Sequence, residues 1–137
     1  MDLIEIRDAI AHQRLFAEPV ASELRFLRGY LDCALWSSTG DDDEPLDDVY
    51  NLSDIADAAM KQAVDECKAF YDANEDDIGD EWSKAGHDFW LTRNGHGAGF
   101  WETDDWPEEA GVRMTDASKA AGERNLYAGD DDRLYFL

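Results

Sequence analysis

The chain has 137 residues, the size of one domain, and its 44% hydrophobic and 12% aromatic content suffices for a packed core. Thirty-three acids against twelve Lys and Arg give a net charge of −21, which excludes direct binding to DNA, RNA or an anionic membrane, since each demands a cationic surface. No apolar run reaches the roughly 18 residues of a membrane span, and Met1-Asp2-Leu3-Ile4-Glu5 has neither the basic nor the apolar region of a signal peptide. Two cysteines are too few for a disulfide framework. The expectation is a cytoplasmic protein in which Cys33 and Cys67 are buried free thiols.

Leu3, Ile6 and Ile10 recur at helical spacing and predict a helix over 3–16. Pro19 suits a first helical turn, and Val20, Leu24, Leu27, Leu31 and Leu35 form an apolar stripe beyond it, predicting a helix over 19–38. Ser37-Ser38-Thr39-Gly40 ends that helix, and Asp41–Asp48 reads as a solvated loop interrupted by Pro45. Asn51 or Ser53 can cap a third helix over 51–72, with Leu52, Ile55 or Ala56, Ala59, Ala63, Cys67 and Phe70 facing inward. Beyond residue 72 the acids would oppose that helix's negative C-terminal end. A break near Asn74 relieves the conflict.

After Trp82 the pattern reads as period 2. His87–Arg93 and Phe100-Trp101-Glu102 are predicted as strands joined across the glycine-rich Asn94–Gly99, because Asn-Gly between apolar runs favours a hairpin. Thr115–Glu123 is predicted as a short helix with Thr115 as N-cap. Leu126–Ala128 and Leu134–Leu137 form a second hairpin around Gly129–Asp132. The predicted fold is α+β: one domain over 1–137, with N-terminal helices of an acidic half (1–81) packed on a small antiparallel ββαββ sheet (82–137).

The charge is uneven. Residues 41–81 hold sixteen acids and two bases, against six and four in 1–40 and eleven and six in 82–137. The densest stretches hold Asp41, Asp42, Asp43, Glu44, Asp47 and Asp48, then Glu75, Asp76, Asp77, Asp80 and Glu81. Clustered like charges destabilise a compact chain, so these eleven acids are the candidate partner-binding surface. Carboxylates one helical turn apart lie about 5.4 Å apart along the axis, comparable with adjacent phosphates along a strand. The alternative surface is the aromatic hairpin, with Trp90, Arg93, His96 and Trp101. Each Phe-Trp pair would send one ring to each sheet face, and the outer one needs a cover, a partner or a second copy in a homodimer. Salt adaptation is a further alternative, since Asp outnumbers Glu 22 to 11, but it should coat the whole surface evenly.

Residues 86–101, from Gly86-His87-Asp88-Phe89-Trp90 to Gly99-Phe100-Trp101, resemble a block found in small uncharacterised proteins of tailed bacteriophages and prophages. The likeness continues weakly through 115–127 and the turn at 129–131. It implies a phage setting and a target in the host cytoplasm, and transfers no active site. The leading expectation is an acidic nucleic-acid mimic that binds a host nucleic-acid-binding or defence protein through its basic cleft. Neither catalysis nor a cofactor is expected. No nucleophile elbow occurs, and both acidic runs lack the glycine of a calcium loop. His87, His96 and Glu102 are the best metal candidates, with His87 and Glu102 as predicted cross-strand neighbours, but no metal is expected there.

Overall fold

The computed structural model describes residues 1–12, 20–40 and 43–137. Its elements are α1 (Leu3–His12), α2 (Val20–Ser37), α3 (Asp57–Ile78), α4 (Trp82–Arg93), α5 (Glu108–Ala121), β1 (Leu126–Ala128) and β2 (Leu134–Phe136). Two 3-10 turns, Leu46–Asp48 and Leu52–Asp54, bridge α2 to α3. The predicted end of the first helix (13–16), the start at Pro19, and Asp41 and Asp42 lie outside the described residues. Among those described, no helix is long and apolar enough to cross a membrane.

The ββαββ reading is wrong in its first half. Residues 82–93 are a helix, and among the described residues the one sheet is β1 paired antiparallel with β2, Tyr127 opposite Tyr135. The C-terminal hairpin stands as predicted, closed by the Gly129 amide donating to the Arg133 carbonyl. Asn94-Gly95 is a helix stop and not a hairpin turn. Gly95 takes φ +69°, its amide donates to Thr92 O, and the next amide, His96, donates to Leu91 O. Those two bonds satisfy the last carbonyls of α4 in a Schellman arrangement, which Asn-Gly serves as well as it serves a hairpin. Phe100–Trp106 is a series of turns, with Glu102 N bonded to Gly99 O and Trp106 N to Glu102 O. The helix predicted at Thr115 starts earlier, at Glu108 after Pro107, with Glu108 and Glu109 placed favourably in its first turn.

α4 is central because the core surrounds it. Ala85, Phe89, Trp90 and Leu91 are buried, and so are Asp88, Thr92 and Arg93. The apparent alternation was polar groups that find partners inside. Asp88 accepts from Trp106 Nε1 at 2.7 Å, and Thr92 Oγ1 accepts from the Phe100 amide at 3.1 Å. Phe70 stacks on Phe89 (centroids 4.1 Å apart) and on Phe100 (5.6 Å), and Phe26 packs on Phe70 and Phe89. This aromatic column joins α2, α3, α4 and the turns after α4.

Helices α2 and α4 meet at backbone distance. A Cβ on Gly86 would strike the Phe26 carbonyl, and one on Gly29 the Ser83 carbonyl. Gly86→Ala is therefore expected to cost about 3 kcal/mol or more, because main chain must retreat rather than a flexible side chain. Urea denaturation checks this, and a loss under about 1 kcal/mol contradicts the close crossing.

The break expected near Asn74 is present as a kink. Asn74 has φ −124° and ψ 15°, is buried, and its side-chain amide donates to the Phe70 carbonyl at 2.9 Å. Asn51 caps the 3-10 turn before α3, with a reciprocal Asp54 bond to its own amide, and α3 itself starts at Asp57. Arg7 ties α1 to this entrance through the Ile55 carbonyl and Asp57.

Cys33 and Cys67 are buried free thiols. Burial, reinforced by Asp88 and Asp32, pushes Cys33 up to about 12, and burial carries Cys67 well above the ordinary thiol range. Both stay protonated at pH 8, so an alkylating agent should label the native protein only as fast as it opens. Immediate double labelling by mass spectrometry contradicts the assignment.

Candidate acidic interface

The acids of 75–81 occupy the corner between α3 and α4. Glu75 and Asp76 are exposed on the last turn of α3 beyond the Asn74 kink, and Asp80 and Glu81 are exposed on the connection to α4. Gly79, at φ +62°, turns the chain there. Asp80 and Glu81 precede the N-terminus of α4, where negative charge is favoured, whereas Glu75 and Asp76 face the negative end of α3. Asp77 differs from its neighbours. Arg113 of α5 grips both its oxygens, at 2.7 and 2.8 Å, and holds its carboxyl below the usual range. Arg113 is 36 positions away, so no local pattern in the sequence announces the pair.

The other corner follows α2. Asp43, Glu44, Asp47 and Asp48 are exposed, and Leu46 alone in that stretch is buried, pinning it beneath α2. The Thr39–Pro45 bridge and the Gly40 amide donating to the Glu44 carbonyl close the loop, and Asp43 takes φ +59°, a conformation Asp tolerates. The two corners do not merge. Arg25 lies over the Trp82 ring at the α3–α4 corner, while the second loop leaves α2 after Ser37. Twelve helical steps separate Arg25 from Ser37, about 18 Å at 1.5 Å each.

Glu75, Asp76, Asp80, Glu81, Asp43, Glu44, Asp47 and Asp48 form no ion pair among the described residues. Cations sit instead beside other acids. Lys68 meets Glu23 and Asp72, and Lys84 meets Asp88 and Asp105. Burial works against the charged form of Lys84, but the two aspartates overcome it and raise its pKa.

The residues of the aromatic alternative are scattered. Trp90 is core, its Nε1 donating to Ser37 Oγ at 2.8 Å. Arg93 is wholly buried, its guanidinium bonded to Glu66 (2.7 Å), the Tyr30 hydroxyl (3.0 Å) and the carbonyls of Ala121 and Gly122. His96 and Trp101 are exposed. Phe89 and Phe100 are buried, so of the two Phe-Trp pairs Trp101 alone reaches solvent. Sequence reasoning missed Trp36, which is 61% exposed and stacks on His87 with centroids 6.2 Å apart. A tryptophan one place past the Leu35 stripe was the available signal.

His87 lies on α4, His96 in the following turn and Glu102 among the later turns, so the cross-strand arrangement does not exist. Among the described residues no three His, Cys, Asp or Glu side chains are grouped to hold a metal ion. No family model matches the chain, and neither curated proteins nor solved structures provide a match.

Proposed function

We propose that this chain is an acidic decoy that occupies the basic cleft of a host nucleic-acid-binding or defence protein, with carboxylates standing where phosphates would sit, and inhibits it. The observation that carries the reading is the set of eight exposed carboxylates, in two corners, that form no ion pair among the described residues, Arg113 of the first corner being taken up by Asp77. A fold that pairs most of its few cations with other acids keeps a self-repelling surface that works against stability, and a cationic partner offsets that repulsion. Corners about 18 Å apart, measured along α2, span roughly five nucleotide steps of 3.4 Å, within reach of one basic cleft. The phage or prophage setting, and with it the host cytoplasm, rests on the resemblance of residues 86–101 alone.

The test is displacement. A labelled duplex is bound to a set of bacterial DNA-binding proteins of differing cleft geometry, and the chain is titrated in at several salt concentrations. The reading predicts displacement from at least one at stoichiometric concentration, with log affinity falling linearly against log salt. Displacement from none, or an affinity indifferent to salt, overturns it.

A further inference from the structure

A groove of about 320 Å³ runs between the turns at 100–107 and the outer side of α5. Its floor is Phe100 and Trp106, and its walls include Trp101 and Val112, which are 51% and 56% exposed. The charged residues lining it are Glu108 and Asp116, both acids, at either end of the α5 stripe 108–112–116. Those three positions, spaced by four, share one helix face. The first acidic corner meets a different side of α5, through Arg113, which binds Asp77. An exposed tryptophan beside an exposed valine is the kind of apolar anchor point around which binding energy concentrates, and its rim has one sign of charge.

We propose that this groove receives a cationic amphipathic segment of the protein partner, an apolar side chain lodging against Trp101 and Val112 while flanking Lys or Arg side chains meet Glu108 and Asp116. Charge complementarity selects this occupant. A second copy of a chain with net charge −21 would bring like charge to an acidic rim. The inference rests on the reading of a cationic partner and adds what pure phosphate mimicry lacks: an apolar anchor that holds the partner when salt screens the carboxylates.

The test uses the full chain labelled with ¹⁵N and three tryptophan-free synthetic peptides of equal length: mixed leucine and lysine in an amphipathic pattern, all lysine, and mixed leucine and glutamate. The amphipathic cationic peptide should saturate the protein, shift the Trp101 indole and Val112 amide signals, and bind at least about tenfold more tightly than the all-lysine peptide. Trp101→Ala should lose about tenfold or more of that affinity. Val112→Lys, at an exposed helix position with no core contact to break, should lose as much, and Glu108→Gln with Asp116→Asn should flatten the salt dependence. Equal binding of the all-lysine peptide, with shifts confined to residues 75–81, overturns the groove and leaves the decoy reading standing. No saturable binding of either cationic peptide overturns the groove and counts against the decoy reading too. Binding of the glutamate peptide to the same signals, or self-association through Trp101, overturns the charge argument.

Discussion

Replacing Arg93 with Met should cost about 3–5 kcal/mol of stability, the loss typical of breaking a buried ion pair from one side. Its side chain is fully buried and joins three parts of the fold. Nη1 meets Glu66 of α3 and the Tyr30 hydroxyl of α2, while Nε and Nη2 donate to the Gly122 and Ala121 carbonyls at the end of α5. Those carbonyls belong to a helix terminus, where no intrahelical donor exists, so Met would remove their side-chain donor as well as leaving Glu66 and the buried Tyr30 hydroxyl without their partner. Arg93→Lys should recover little, since one ammonium cannot reach acceptors spread around a planar fork. Burial works to raise the Glu66 carboxyl pKa, but Arg93 and then Arg124 overcome it and hold it below the ordinary value. A depressed folded-state pKa adds stability that is present above the unfolded value and is lost as pH falls through the folded one. The gap between the natural protein and Glu66→Gln should therefore be widest near neutrality and close as pH falls below about 4.5. Urea titrations at a series of pH values measure it, and a gap that stays constant from neutral to acid pH contradicts the assignment.

Where a helix shows one side to water, the sequence announced it. The α2 stripe of Leu24, Leu27, Leu31 and Leu35 is buried as read, and so are Ala59, Ala63, Cys67 and Phe70 of α3. Asn74 was found by an electrostatic argument, and the C-terminal hairpin by its turn residues. The failure at α4 has a physical cause. Over 88–93 the helix is enclosed and buries its polar residues too, so the one-sided stripe disappears and Asp88–Arg93 imitates alternation, although Ser83, Lys84 and His87 of the first turns still reach solvent. A helical signal remained in Trp82, Ala85, Phe89 and Arg93, three or four apart, with Gly86 marking a close approach. Asn94-Gly95 outweighed it because one dipeptide serves both a hairpin and a Schellman stop. Of the site, the exposure of eight of the acids was legible, whereas Asp77 is half-buried and Asp41 and Asp42 lie outside the described residues. The Arg113–Asp77 grip and the Trp101–Val112 groove were not, because each joins segments that only the folded α5 brings together.

That grip decides which acids to alter. Converting Glu75, Asp76, Asp80 and Glu81 together to their amides should leave the fold intact, whereas Asp77 should be spared because its loss would free Arg113 at the centre of the corner. The helix-end effects should largely cancel, since relief at the C-terminal end of α3 from Glu75 and Asp76 is offset by the favourable charge lost with Asp80 and Glu81 before α4, so thermal stability should change little beyond the gain from reduced self-repulsion. Affinity for a cationic partner should fall. Each exposed pair contributes about 0.2–1 kcal/mol, so four together weaken binding by roughly fourfold to nearly a thousandfold. The same change at Asp43, Glu44, Asp47 and Asp48 separates the two corners. A partner that spans both should lose affinity from either set, and the two losses should add, because sites beyond about 10 Å without shared contacts act independently. A partner that grips one corner should feel one set alone. Either pattern should come with a shallower salt dependence in the affected variant, since fewer charges then release fewer counterions. Paired titrations against one captured basic protein, at three salt concentrations, decide the matter. If both variant sets keep full affinity and the original salt slope, the carboxylates carry no binding and the decoy reading fails.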